Sequence, residues 1–495
     1  MKSSLLTVLL CFLIVQHTNA QEYGNLPTIK KEDLLNDLEL LYQGLDKFHS
    51  GMYWYTPKDS VDRAFQEAKK QIAGDMNVLQ FYKLMAPLVA LSREDHTDMS
   101  LPEEINAHLN SNARFMPIIF VFLGKELYCY RNGSDFEGYP IEGKRIETIN
   151  GEKPTAIVKK IGNLFASDGY IKTVKYSDLE GFSFSKYYFY YYGELDQFEM
   201  KFQDIEKPVT IKALKLDELR SNLRKRYPKK ESDESKPLLE YRQLNQSTAY
   251  IGVHTFSNGD IKSETKEKLL KKFLDNSFRS ISEHQIKTVV VDVSDNGGGS
   301  EGNEGLLYSY FGSNYQKYEK VLVKSQKAVL DNGVDKPIKL KSLGFLERIF
   351  ANKKNKDGSL ERKESFGPGL KAYRKEPDYK FTGKTYVIIS PVTYSGSSEF
   401  SNMIYTKNLG TFVGQQTGGG YLGNTSGYSE ELILPHSKIE IEVPSLRFVM
   451  NVDGKLPKGS GVIPHYEVIP TFEEYSNGVN APLKYILEVL EKDQM

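Results

Sequence analysis

Cysteine is almost missing from this chain of 495 residues, which has two, Cys11 and Cys129. Cys11 lies in an N-terminal stretch read as removed, so Cys129 is left alone and the mature chain has no internal disulfide. The fold must be held by its core. Cys129 sits in the alternating segment ELYCYRNG with no base nearby and reads as structural. An excess of either charge is also missing, because 65 Lys+Arg balance 65 Asp+Glu. No overall field favours nucleic acid or an anionic membrane, and nucleic-acid binding is set aside. After residue 20 no stretch approaches the ~20 apolar residues of a membrane helix. There is no His-Glu-x-x-His, no cysteine pair and no Gly-Lys-Ser/Thr after a glycine run, so no metal, other cofactor or phosphate loop is expected.

What is present begins with an address. Lys2, the apolar run Leu5 to Val15 and the small residues Thr18-Asn19-Ala20 read as a cleaved export signal over residues 1–20. The mature chain is therefore expected in a periplasmic or extracellular space. Its length predicts two to four domains at ~100 to 200 residues each. Residues 21–112 read as a helical domain, with Leu34, Leu38, Leu41, Tyr42 and Leu45 on one helix face and Val61, Phe65, Ala68 and Ile72 on another. Residues 113–214 read as β-rich, with a hairpin signal at Ile146, Ile149 and Asn150-Gly151 and a tyrosine-rich run, Tyr187 to Tyr192, expected as a buried strand. Residues 215–240 read as a charged, solvated linker. From 241 to 495 strands and helices alternate, as in an α/β core, interrupted by a lysine-rich insertion near 336–378 expected to be mobile.

Two stretches of that core carry chemistry. Val387 to Gly410, VIISPVTYSGSSEFSNMIYTKNLG, predicts a buried strand ended by Pro391 and then a helix carrying Phe400, Met403 and Ile404. Ser395 falls at the elbow, where free helix amides stabilise negative charge. It serves either as an acyl-transfer nucleophile or as a helix cap. Ser397 and Ser398 are the neighbouring alternatives. The second stretch, VVVDVSDNGGGS from Val289 to Ser300, runs a buried strand into Gly297, Gly298 and Gly299, whose backbone can turn amides toward an anion.

Together these stretches resemble peptidase family S41, the tail-specific or C-terminal processing proteases and their tricorn-core and retinoid-binding-protein relatives. VVVDVSDNGGGS resembles the family strand ending in Asp-Leu-Arg-x-Asn-x-Gly-Gly, with Asp292, Asn296, Gly298 and Gly299 matching and Ser294 replacing the arginine. TYSGSSEF resembles the nucleophile segment, GSGVIPHYEVIPT the Gly-Val-x-Pro-Asp segment with His465 for the aspartate, and LSREDHTDM the Asp-Gly-His-Thr segment around His96. The processing proteases pair the serine with a lysine, where this chain has Gly420, so the resemblance points to the tricorn-like branch and a histidine base.

The resemblance implies an α/β, ClpP/crotonase-like catalytic core, a PDZ-like β-rich module and a serine endopeptidase acting on peptides or unfolded proteins. It implies Ser395 and His96 as catalytic residues and Gly298 and Gly396 as oxyanion donors. Imidazole titrates near neutral pH and suits a general base. Asp95, Asp98, Glu430, Glu431 and Asp453 all remain open as the residue that orients it. A binding protein on the same scaffold, for peptides or a hydrophobic ligand, is the alternative. No Gly-x-Ser-x-Gly elbow supports another hydrolase fold. Oligomeric state is not legible.

Overall fold

The computed structural model describes residues 26–228, 236–265, 270–341, 344–356, 359–367, 369–373 and 376–490. The export signal expected at 1–20 lies outside them. At the centre, strands β1 (Leu239–Gln243), β2 (Thr248–Val253), β3 (Thr288–Asp292), β4 (Lys384–Ile389), β5 (Thr411–Gly414) and β6 (Tyr466–Glu467) lie side by side in that order. Strands β2 to β6 are parallel, and β1 closes one edge antiparallel to β2. All of β3 is buried, as is β4 after its first residue. Continuous Val/Ile runs suit strands covered on both faces. Helices α1 (Leu270–Glu283), α2 (Asn303–Ser309) and α3 (Gly396–Thr406) cover one face, where Leu274, Phe278, Leu307, Phe400 and Ile404 pack on Val289, Val291, Val387 and Ile389. On the other face Leu483 and Ile486 meet Val290, Tyr386 and Ile388. This is the α/β core expected, and such sheets place their sites at the carboxyl ends of the strands. There β3 delivers the glycines and β4 delivers Ser395.

The N-terminal helices form where the apolar spacing predicts, at Lys31–Lys47, Lys58–Gln71, Val78–Val89 and Glu103–Asn112. They do not close a core alone. Leu330 and Leu340 from one hairpin, with Leu432, Ile441 and Val443 from a pair of core strands, complete it. The supposed insertion at 336–378 is thus built in. Ile338–Lys341 belongs to that hairpin, while Asn352–Lys354 and Leu360–Arg362 extend the sheet of Tyr318–Val323 and Leu446–Met450. In Ile338–Lys341 the exposed Lys339 and Lys341 alternate with the inward Leu340, so one side packs while the other meets water.

Three other expectations are corrected. The tyrosine-rich run is a helix, Ser183–Tyr192, ended by Gly193 at φ 92°. It lies between two cores, giving Phe184 and Tyr188 to one and Phe189 and Tyr190 to the other. A strand would leave no such division at helical spacing. Asn150 and Gly151 do turn the chain, at φ 49° and 78°. The return is only a bridge from Ile149 to Glu152 before the helix Pro154–Ile161, and Ile146–Ile149 pairs with Gln197–Phe202 instead. The first part of the linker is also helical, Leu216–Arg226, because Leu216 and Leu219 have an apolar surface to bury. Among the described residues no helix is long and apolar enough to cross a membrane.

Candidate active site

Ser395 does not cap the helix it precedes. Its backbone has φ 47° and ψ −123°, and no side-chain capping bond is made. A non-glycine residue in such a region costs ~1–3 kcal/mol and persists only where its surroundings impose it. Asn296, fully buried, does the imposing: its carbonyl accepts from the Tyr394 amide at 3.2 Å and from the Ser397 hydroxyl. Its side chain donates to the Val253 carbonyl at 2.9 Å and accepts from the Gly298 amide at 2.8 Å. One asparagine therefore ties the glycine turn, the second strand and the elbow together. Ser397 and Ser398 are buried, with hydroxyls donating to the carbonyls of Tyr394 at 2.7 Å and Ser395 at 2.8 Å. Ser395 is half-buried and keeps an accessible hydroxyl.

The same bond corrects the expected oxyanion donors. The Gly298 amide is taken by Asn296 Oδ1, the usual capture of an amide two residues on by an asparagine side chain. What Gly298 contributes is the side chain it lacks, since a Cβ there would lie 2.7 Å from Ser395 Cβ. The amides of Gly297, Gly299 and Gly396 make no hydrogen bond among the described residues, and of the two donors expected Gly396, which directly follows Ser395, is the one left free. Gly298→Ala, at φ 104°, is expected to lower the reaction of Ser395 with an active-site probe ~100-fold or more, since a 1 Å misplacement can cost that much. Probe labelling beside a circular-dichroism melt checks it, and a folded variant that labels normally would refute the contact.

His96 sits in the turn that follows the helix Val78–Val89, and its Nδ1 is buried without a hydrogen bond among the described residues. The turn reaches the elbow, for the Asp95 carboxylate faces the Tyr394 ring, whose hydroxyl makes no hydrogen bond of good geometry. Burial, then the nearby Asp168 and Asp178, push Asp95 well above the usual carboxylate range. Below the turn, Glu94 and Arg447 form a wholly buried ion pair. Beside them His49 Nδ1 accepts from the Gly51 amide at 2.9 Å, so Nε2 carries the proton and donates to Thr97 Oγ1 at 2.7 Å. Burial and then Arg447 push His49 down to about 3, which keeps it neutral.

None of the carboxylates left open bonds His96 among the described residues. Asp98 accepts from the Met99 amide, Glu431 is exposed on a strand paired through Glu430 to Val443, and Asp453 accepts from Tyr421 and Lys455. Gly420 donates its amide to Asp168 Oδ2 at 2.9 Å, and a side chain there would begin 3.0 Å from the Gly423 carbonyl oxygen. His465 is stacked on Tyr405 and Phe412 and accepts from the Phe412 amide, a structural histidine.

Other groups at the site were not legible in the chain. Lys317 lies buried between Glu304 and Glu399, the latter in the first turn of α3 and also accepting from Tyr318 at 2.7 Å. Burial works against the Lys317 ammonium, but Glu399, Tyr318 and Glu304 outweigh it and hold its pKa well above the usual lysine value. Lys175 is the opposite case. Burial pushes it down to about 7 against Asp178 and Asp95, yet its ammonium is tied to the Phe165 carbonyl and lies 4.1 Å from that ring centre.

A family model described as peptidase family S41 matches residues 247–468, the span from β2 to the end of the last core strand. Mature CPAF complexed with lactacystin shares the fold at a TM-score of 0.58, with 12% identity over 93% of this chain and 97% of that one. An S499A mutant of CPAF gives 0.57 and 12% over 92% and 98%. The photosystem II D1 C-terminal processing protease gives 0.38 and 12% over 91% and 98%. No curated protein matches the chain in sequence. The sheet, the glycine turn and the serine elbow all fall within the matched span, so residues 247–468, the part of the chain that carries the candidate site, match peptidase family S41.

Proposed function

We propose that this peptidase is an exported serine endopeptidase, cutting peptides or unfolded proteins through an acyl-enzyme in a periplasmic or extracellular space. The observation that carries the reading is Ser395 itself: strained, uncapped and accessible, while the two serines after it are locked inside. Ser395 Oγ attacks the scissile carbonyl carbon as His96 takes its proton. The oxyanion is met by the Gly396 amide at the start of α3, where the helix dipole also favours negative charge. His96 returns the proton to the departing amine, and water then cleaves the ester by the same route. A cleft of about 670 Å³ between the β-rich module and the sheet supports a peptide substrate, for it is lined by Phe122, Tyr176 and Glu180 on one side and by Ser390 to Val392, just before the elbow, on the other.

A fluorophosphonate probe tests this directly. Wild type is expected to label on one serine and His96→Ala to label ~10²- to 10⁴-fold more slowly, the usual worth of a general base. Equal labelling of the two removes His96 from the site. Failure of wild type to label favours a binding protein on this scaffold.

A further inference from the structure

We propose that Asp168 is a positioning residue, holding the His96 turn and the loop behind Ser395 in one fixed relation. The inference rests on the assignment of Ser395 and His96 as the reacting pair. Asp168 belongs to neither segment, lying in the loop before the short helix Thr173–Ser177, and it is 1% exposed. Its Oδ1 accepts from the Asp95 amide at 3.0 Å and its Oδ2 from the Gly420 amide at 2.9 Å. One carboxylate thus joins chain segments 73 residues away on one side and 252 on the other.

The bonds beside it run the same way. The Gly169 amide donates to the Arg93 carbonyl at 2.8 Å, and the Tyr170 amide to the Gly459 carbonyl at 2.7 Å. The Arg93 guanidinium lies over the Tyr170 ring at 4.5 Å. Residues 168–170 are a clip, with the histidine turn on one face and the core loops on the other.

What the clip holds is close to the chemistry on both faces. Asp95 is the residue before His96. On the core side the Gly419 amide donates to the Thr393 carbonyl at 3.1 Å, and the loop is so near the elbow that a Cβ on Gly419 would lie 3.3 Å from the Ser395 nitrogen. A Cβ on Gly418 would lie 2.4 Å from the Tyr394 ring. A shift of this loop is therefore a shift of Tyr394 and Ser395, since close-packed groups have no slack to absorb it.

The chemistry of the two bonds requires a carboxylate. Both partners are backbone donors, and a carboxylate offers each of them one of its two acceptor oxygens. Asparagine would turn its own N–H groups toward one of the two amides, leaving a buried clash of donors.

The test uses the full mature chain with Asp168→Asn and Asp168→Ala. Each is expected to lower the rate of fluorophosphonate labelling, and kcat on a peptide, at least tenfold while KM changes less than twofold. A residue that only glued the units together would lower the melting midpoint without that split. Folded variants that label and turn over at the wild-type rate overturn the proposal. Wild type that does not label overturns the assignment of Ser395, and the positioning role with it. Should both variants fail to fold, amide hydrogen exchange on wild type decides. The Asp95 and Gly420 amides are expected among the slowly exchanging ones, and exchange at the rate of exposed loops overturns the bridge.

Discussion

Ser395→Gly is expected to be inactive and yet more stable than Ser395→Ala. Both remove the hydroxyl proposed as the nucleophile, and loss of a serine nucleophile costs roughly 10⁴- to 10⁶-fold in kcat where the rest of the site persists. They differ in the backbone. Alanine keeps the Cβ and so keeps the strain of φ 47°, ψ −123°, whereas glycine adopts positive φ without steric cost. Relief of ~1–3 kcal/mol of strain is partly offset by the ~0.5–1 kcal/mol of extra chain entropy that glycine loses on folding. A net ~1 kcal/mol in favour of glycine remains, which raises the melting midpoint by a few degrees in a domain of this size. Activity assays and paired melts of the two variants check both halves. A glycine variant that melts below the alanine variant would show that the elbow stores no strain. The pattern expected is that of a site whose geometry is imposed by its neighbours, chiefly Asn296, at a cost in stability.

The parts of the molecule readable from the chain are those built on local patterns. The central sheet was legible, because buried parallel strands require uninterrupted branched runs and the chain supplies them at Val289–Val291 and Val387–Ile389. The serine elbow was, because proline, a small-residue cluster and a helical period follow one another within a few residues. The tyrosine run was misread, although Phe184, Tyr188 and Tyr192 stand at intervals of four and the Tyr188 and Tyr192 rings stack at 4.3 Å. Composition suggested a strand, while period and the terminal Gly193 pointed to the helix. Asp168 and Arg447 could not be found locally. Each sits in an ordinary stretch, and each acquires its meaning from partners hundreds of residues away, 252 for Asp168 with Gly420 and 353 for Arg447 with Glu94. Gly298 shows the subtler failure. Its presence in the glycine run was legible, but which amide of the run stays free depends on where the Asn296 side chain turns.

Arg447→Met is expected to destabilise the protein by ~3–5 kcal/mol at neutral pH, because it leaves a buried carboxylate without its partner. Arg447 and Glu94 are both fully buried, and the guanidinium also lies 4.7 Å from the Trp54 ring centre and 3.4 Å from the Tyr55 hydroxyl. Burial already pushes Glu94 well above the usual carboxylate range, with Arg447 the largest opposing influence. Once Arg447 is gone, only the raising influences of burial and Asp168 are strong, and Glu94 holds its proton in the folded state. The sign of the pH dependence follows. Below the unfolded carboxyl pKa of ~4.3 Glu94 is protonated in both states and the electrostatic part of the cost vanishes. Above it the unfolded chain ionises in both proteins, and the gap grows by up to ~1.4 kcal/mol per pH unit over the range where Glu94 is ionised beside Arg447 in folded wild type but still protonated in the folded variant. Denaturant melts of wild type and variant at pH 4 and pH 8 should therefore show a larger gap at pH 8, and an equal gap would mean that packing, not charge, is what the arginine supplies. Adding Glu94→Gln to the variant removes the group that must take up a proton on folding and is expected to recover much of the loss. Glu94 is two residues from His96, so the recovered double variant also separates two roles for the pair. If it folds and still labels at Ser395, the ion pair secures only the fold, and if it folds but does not label, the pair sets the position of the histidine turn as well.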